Sequence, residues 1–86
     1  MNRVSDHGGW CIKAERLKTG FPDRLILGPG RVVAFVETKA PEGRLSPAQR
    51  YIHGILARLG WPVSVPRSYA DVEAVLRDVF GEAYRP

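Results

Sequence analysis

Gly20-Phe21-Pro22-Asp23-Arg24-Leu25-Ile26-Leu27-Gly28-Pro29-Gly30-Arg31-Val32-Val33-Ala34-Phe35-Val36-Glu37-Thr38-Lys39 reads as two strands folded back on one another. Thr19 to Pro22 forms a turn, and a strand over Asp23–Leu27 follows it. Gly28-Pro29-Gly30 reverses the chain, and a further strand over Arg31–Ala40 ends at Pro41, which has no N–H for a ladder. Val32 to Val36 is apolar at every position, not at alternate ones. A strand of that kind is expected to be central and covered by helices on both faces.

Outward from this hairpin, Trp10, Ile12 and Ala14 alternate with Cys11, Lys13 and Glu15, the period of a first strand. Residues 1–9 carry Asp6, Gly8 and Gly9 and no apolar period, so they are expected to be loosely ordered. On the other side, Ser46-Pro47 is a helix start, with serine at the N-cap and proline at the first helical position. Ile52, Ile55, Leu56 and Leu59 mark one apolar face, and Gly60 suits a left-handed stop. Pro62–Val65 is a short fourth strand closed by Pro66. Ser68-Tyr69-Ala70-Asp71 opens a second helix whose core face is Val72, Val75, Leu76 and Val79. The order β-β-β-α-β-α predicts a compact α/β core, a mixed sheet flanked by helices, in one domain over 1–86.

So small a chain leaves much of its surface exposed. Cys11 is the only cysteine, so no internal disulfide staples the fold, and a reducing, cytoplasmic setting is expected. Association into a homodimer is the expected remedy for the small core. No apolar run approaches the roughly 20 residues of a bilayer span, and no signal peptide is expected at the start. Thirteen Lys and Arg against nine Asp and Glu give a net charge of +4, which favours a polyanionic partner.

Loop length decides where the hairpin's charges meet. A five-residue loop at 28–32 sets Asp23 directly opposite Glu37, on the same face. A three-residue loop at 28–30 makes Glu37 a same-face diagonal neighbour of Asp23, while a two-residue loop separates them onto opposite faces. Gly-Pro-Gly suits one of the longer loops, because proline sits badly in a two-residue primed turn. Lys39 lies two residues past Glu37 and returns to its face. Two clustered carboxylates repel, and a divalent cation with few hard oxygen ligands, Mg²⁺ or Mn²⁺, relieves the repulsion and also binds phosphate oxygens. Such a set is what metal-dependent phosphodiester cleavage needs. Lys39 is read as positioning a water or stabilising phosphate charge, since the neighbouring acids oppose its losing a proton. Salt bridges among Asp23, Glu37 and Lys39 are the plainer alternative.

The chain resembles the VRR-NUC family of the PD-(D/E)xK nuclease superfamily over roughly Gly9 to Leu76. The likeness rests on Gly9-Trp10 with Lys13, Gly20-Phe21-Pro22-Asp23, Phe35-Val36-Glu37-Thr38-Lys39, Leu45-Ser46-Pro47-Ala48-Gln49, and Leu59-Gly60 ahead of a Val-rich strand. The family is similar to phage-type and structure-selective DNA nucleases, and its short members look like homodimers. The resemblance implies Asp23, Glu37 and the Thr38 backbone carbonyl as metal ligands and Lys39 as the catalytic lysine. Gln49 matches the family's helix glutamine, near the metal-bound water or phosphate, and equally completes a capping box with Ser46. Many superfamily members carry a further acid on a helix before the first strand. Here the short segment ahead of Trp10, with Asp6 its sole acid, is a poor helix, so either that helix is lost, or Glu15 supplies the group from the first strand, or a partner subunit does.

Lys13, Arg24, Arg44 and Arg50 are candidate phosphate contacts. Trp10 and Tyr51 could stack on bases, although burial is the commoner fate of aromatics in a small core. His53, off the apolar face, is expected to be solvated, and Cys11 to be a plain strand residue. The expectation is an Mg²⁺- or Mn²⁺-dependent endonuclease acting on branched, flapped or four-way-junction DNA. The alternative is a nucleic-acid-binding module that keeps the fold with weak or no turnover.

Overall fold

The computed structural model describes residues 2–85. Four strands, β1 (Trp10–Lys13), β2 (Arg24–Leu27), β3 (Val33–Val36) and β4 (Val63–Ser64), form one sheet in the order β1-β2-β3-β4. The first three are an antiparallel meander, and β4 pairs parallel to β3 after the helix α2 (Pro47–Arg58) carries the chain across. Helix α3 (Tyr69–Phe80) follows β4 and runs into a 3₁₀ turn, Gly81–Ala83. This is the mixed α/β sheet with flanking helices that the strand and helix periods predicted.

The hairpin register pairs Arg24 with Val36 and Leu27 with Val33, so the loop is the five-residue one at 28–32. The Gly28 N–H donates to the Val32 carbonyl at 2.8 Å and closes it. The third strand is shorter than the expected Arg31–Ala40. Gly30 and Arg31 take φ of 71° and 68°, left-handed values that no ladder accepts. Beyond Val36 the backbone still leans on β4's extension, with Glu37 N–H donating to Ser64 O at 2.9 Å and Lys39 N–H to Pro66 O at 3.2 Å.

One sheet face carries the core: Ile26 and Val36 with Val75, Leu76, Val79 and Phe80 of α3, joined by Val4 and Tyr84. The other face is only partly covered, which departs from the expectation of a strand buried on both sides. Helix α2 packs chiefly on β4, so Val33 and Phe35 stay half-buried. Of its apolar face only Ile52 is buried, while Leu59 is exposed. Phe35 is lined instead by edge-on contacts with Phe21 and Trp61. Trp10 and Tyr51, for which burial was the commoner expectation, are exposed.

The expectation of loose order for residues 1–9 is corrected over the part described. A helix, α1 (Asn2–Asp6), forms there, and Val4 is fully buried in the core. Arg3 pairs with the Glu73 carboxylate and donates to the Tyr84 hydroxyl. His7 Nε2 accepts from the Arg85 N–H at 2.8 Å, which leaves its Nδ1 to donate to the Arg3 carbonyl. One buried valine and a few long-range polar contacts hold the segment, and neither has a local period to read.

Candidate active site

Sequence makes the local geometry first. Ser46 caps α2 with its side chain accepting from Gln49 N–H, while Gln49 Oε1 accepts from Ser46 N–H. At the far end Gly60 takes φ of 91° and the N–H groups of Gly60 and Trp61 bond back to Ala57 and Leu56, a Schellman stop. The turn before β2 is pressed onto the start of this helix. A Cβ on Gly20 would lie 2.5 Å from the Ala48 carbonyl oxygen, so only glycine permits the approach. That contact brings the Phe21-Pro22-Asp23 segment, with Pro22 buried, to the α2 face.

The ladder ends at Arg24 and Val36, and one step past it the register sets Asp23 opposite Glu37, whose carboxyl feels the Asp23 charge. The two acids therefore meet, as the five-residue loop requires. Asp23 is held by Thr38, whose N–H donates to Oδ1 at 3.1 Å and whose hydroxyl donates to Oδ2 at 2.6 Å. Only the carbonyl of Thr38 was singled out from sequence; its hydroxyl and amide act as a cradle for the acid across the strand. Arg24 donates to the Asp23 carbonyl and lies 3.9 Å from its carboxylate and 3.7 Å from Glu15.

Glu37 is 4% exposed, the buried charged residue among those described. Burial raises its pKa above the ordinary 4.5, and the negative charge of Asp23 adds to the rise; Lys39, Arg24 and a hydrogen bond from the Asp23 backbone work against it. Its Oε1 has no hydrogen-bond partner. His53 Nε2, likewise buried and unpaired, lies 3.6 Å from it. His53 is thus not solvated, as its off-stripe position suggested. Burial lowers its pKa from 6.5, with Lys39 reinforcing the shift, so the ring is neutral near pH 7. Position 53 lies one turn after Gln49, so the period that faces Gln49 toward the sheet was the available signal.

Lys39 is half-buried and lines an open cleft of about 240 Å³ with Thr38, Pro66, Arg67, Ser68, Tyr69 and Val72. Arg67, which sequence reasoning passed over, donates its guanidinium to the carbonyls of Ala40 and Gly43 and so ties down the loop that follows Lys39. Nothing in the local sequence announces that contact.

Other candidates stand apart. Glu15 lies on the turn after β1 and pairs with Arg24. Asp6 is exposed on α1, at the end of β1 opposite the one that carries the two acids. Lys13, Arg44 and Arg50 are exposed. Among the described residues no three His, Cys, Asp or Glu side chains form a group that could hold a metal. The residues present nonetheless suit a hard, water-retaining cation: two neighbouring carboxylates, one of them buried, whose mutual repulsion a cation relieves.

A solved structure described as a VRR_NUC domain superposes with a TM-score of 0.79 at 28% identity, covering 88% of this chain and 84% of that one. The chain has the VRR-NUC fold. No family model matches its sequence, and no curated protein matches it. The VRR-NUC likeness therefore rests on tertiary structure together with the motifs quoted above. It assigns the protein a nuclease-family fold.

Proposed function

We propose that this VRR-NUC-fold protein is a metal-dependent DNA endonuclease acting on branched, flapped or four-way-junction DNA. The observation that carries the reading is the Asp23–Glu37 pair at the ends of β2 and β3, with the Glu37 carboxyl buried beside a second acid. A carboxylate kept there at a cost, on a nuclease-family fold, is best explained by a cation.

Asp23, Glu37 and the Thr38 carbonyl would hold Mg²⁺ or Mn²⁺. The ion, when bound, supplies Lewis acidity toward the phosphate and lowers the pKa of a bound water. Lys39 orients the attacking water and balances the charge that grows on the phosphate as the P–O bond to the leaving oxygen breaks. Gln49 Oε1 is committed to its cap, so only its amide N–H groups remain to reach a phosphate. Arg24, Arg44, Arg50 and Lys13 supply phosphate contacts outside the cleft, consistent with the +4 charge. Arg24 does so only by sharing its guanidinium with Asp23 and Glu15. The protein acts as an intracellular homodimer whose two sites cut both strands. Sedimentation at micromolar concentration giving only monomer would remove that part.

One observation favours the rival, a binding module with little turnover: only two acids meet, and neither Asp6 nor Glu15 adds a third. Cleavage of labelled four-way-junction, flap and linear duplex DNA decides between them, with Mg²⁺, Mn²⁺ or EDTA, wild type beside Lys39→Ala. Cutting that needs metal and is lost in Lys39→Ala is the expected result. Tight binding without cutting in either metal overturns the enzyme in favour of the module.

A further inference from the structure

The two buried polar side-chain atoms lacking a hydrogen-bond partner among the described residues are Glu37 Oε1 and His53 Nε2, and they face each other. Both side chains are nearly enclosed, at 5% and 11% exposure. Their separation of 3.6 Å exceeds a hydrogen bond, and a water set in line between them would need about 2.8 Å on each side. Neither atom can turn to solvent, so each is the other's natural partner. The rigid part of this arrangement is α2. Its start is fixed by the Ser46–Gln49 box and by the contact of Gly20 with Ala48, and Ile52 beside His53 is buried.

We propose that His53 is a positioning residue for Glu37. Its Nε2–H donates to Oε1 and presents the other carboxylate oxygen to the bound cation. A small side-chain rotation closes the gap when the carboxylate is ionised and held by the ion. Ligating carboxylates are themselves oriented by hydrogen bonds from a surrounding shell, and a missing shell donor costs binding because the free carboxylate must be ordered by the metal alone. Here the shell donor comes from the crossover helix. Metal binding on the hairpin is thereby tied to the seating of α2 on β4. This inference rests on the reading of Glu37 as a metal ligand.

The test is calorimetric Mn²⁺ binding without DNA, on wild type, His53→Met, His53→Gln and Glu37→Gln. Methionine fills comparable space with no donor, whereas glutamine restores an N–H. His53→Met is expected to weaken Mn²⁺ binding about 10- to 100-fold, and His53→Gln to recover most of that loss. Wild-type affinity in His53→Met overturns the proposal, as does an equal loss in the Met and Gln variants. Glu37→Gln separates the two layers. If it loses Mn²⁺ while His53→Met does not, only the role of His53 falls; if it binds as wild type, the reading of Glu37 falls too. A nitrogen NMR spectrum of the wild type loaded with diamagnetic Mg²⁺ serves even if a variant does not fold. Protonated Nε2 is expected, and a bare Nε2 overturns the proposal.

Discussion

Glu37 is where stability and function pull against each other. Its carboxyl is buried beside Asp23, so folding favours the protonated form and raises its pKa from 4.5. A group with a raised folded pKa contributes stability that is fully present below the ordinary glutamate range and lost as pH rises through the raised value. Without metal, Glu37→Gln should therefore be more stable than wild type by about 1 kcal/mol near neutrality, with a correspondingly higher Tm. The advantage should shrink toward pH 4, where the wild-type carboxyl is itself neutral. Thermal melts in EDTA across that range check it, and a wild type that gains on the variant as pH rises would contradict it. His53 works the other way, since its lowered pKa makes stability fall once pH drops below about 6.5 and the unfolded chain takes up the proton.

At the scale of elements, the start of α2 carries two jobs on one residue. Gln49 closes the capping box with Ser46, and losing such a cap costs about 1 kcal/mol. Ser46→Ala and Gln49→Ala should thus destabilise the protein similarly in a denaturant titration. If the Gln49 amide also reaches the phosphate, cleavage should fall further in Gln49→Ala than in Ser46→Ala at matched stability. Equal activity in the two variants would assign Gln49 to the cap alone. The hairpin makes the complementary point: five loop residues put the acids face to face, and Arg31 accepts a left-handed φ of 68° to close the turn.

For the whole molecule, the segment before β1 belongs to the core. Val4 is 0% exposed and packs with Phe80 and Tyr84, while Arg3 and His7 tie α1 to the end of the chain around Glu73 and Arg85. Val4→Ala should cost about 2 kcal/mol through lost burial and the cavity left behind. A chemical-denaturation midpoint unchanged by this substitution would show the segment to be dispensable. The half-covered face of β1 to β3, with Trp10 and Trp61 at its margins, is the area on which the proposed dimer's burial can draw.

Strand and helix periods, the serine–proline start and the glycine stop are local properties. For that reason the β-β-β-α-β-α order from Trp10 onward and the flanked mixed sheet were legible in the sequence, and the facing of Asp23 and Glu37 was one of the arrangements it allowed. Loop length left alternatives, because several closures suit Gly-Pro-Gly until strand pairing selects one. What tertiary structure decided has no local period. Thr38 cradling Asp23, Arg67 holding the loop after Lys39, Val4 in the core and His53 turned onto Glu37 all join residues distant in sequence. The last two depend on which side of a twisted sheet a helix finally covers, and the first two on how strand ends and loops meet. That outcome is set by packing of the whole chain, and sequence spacing alone does not encode it.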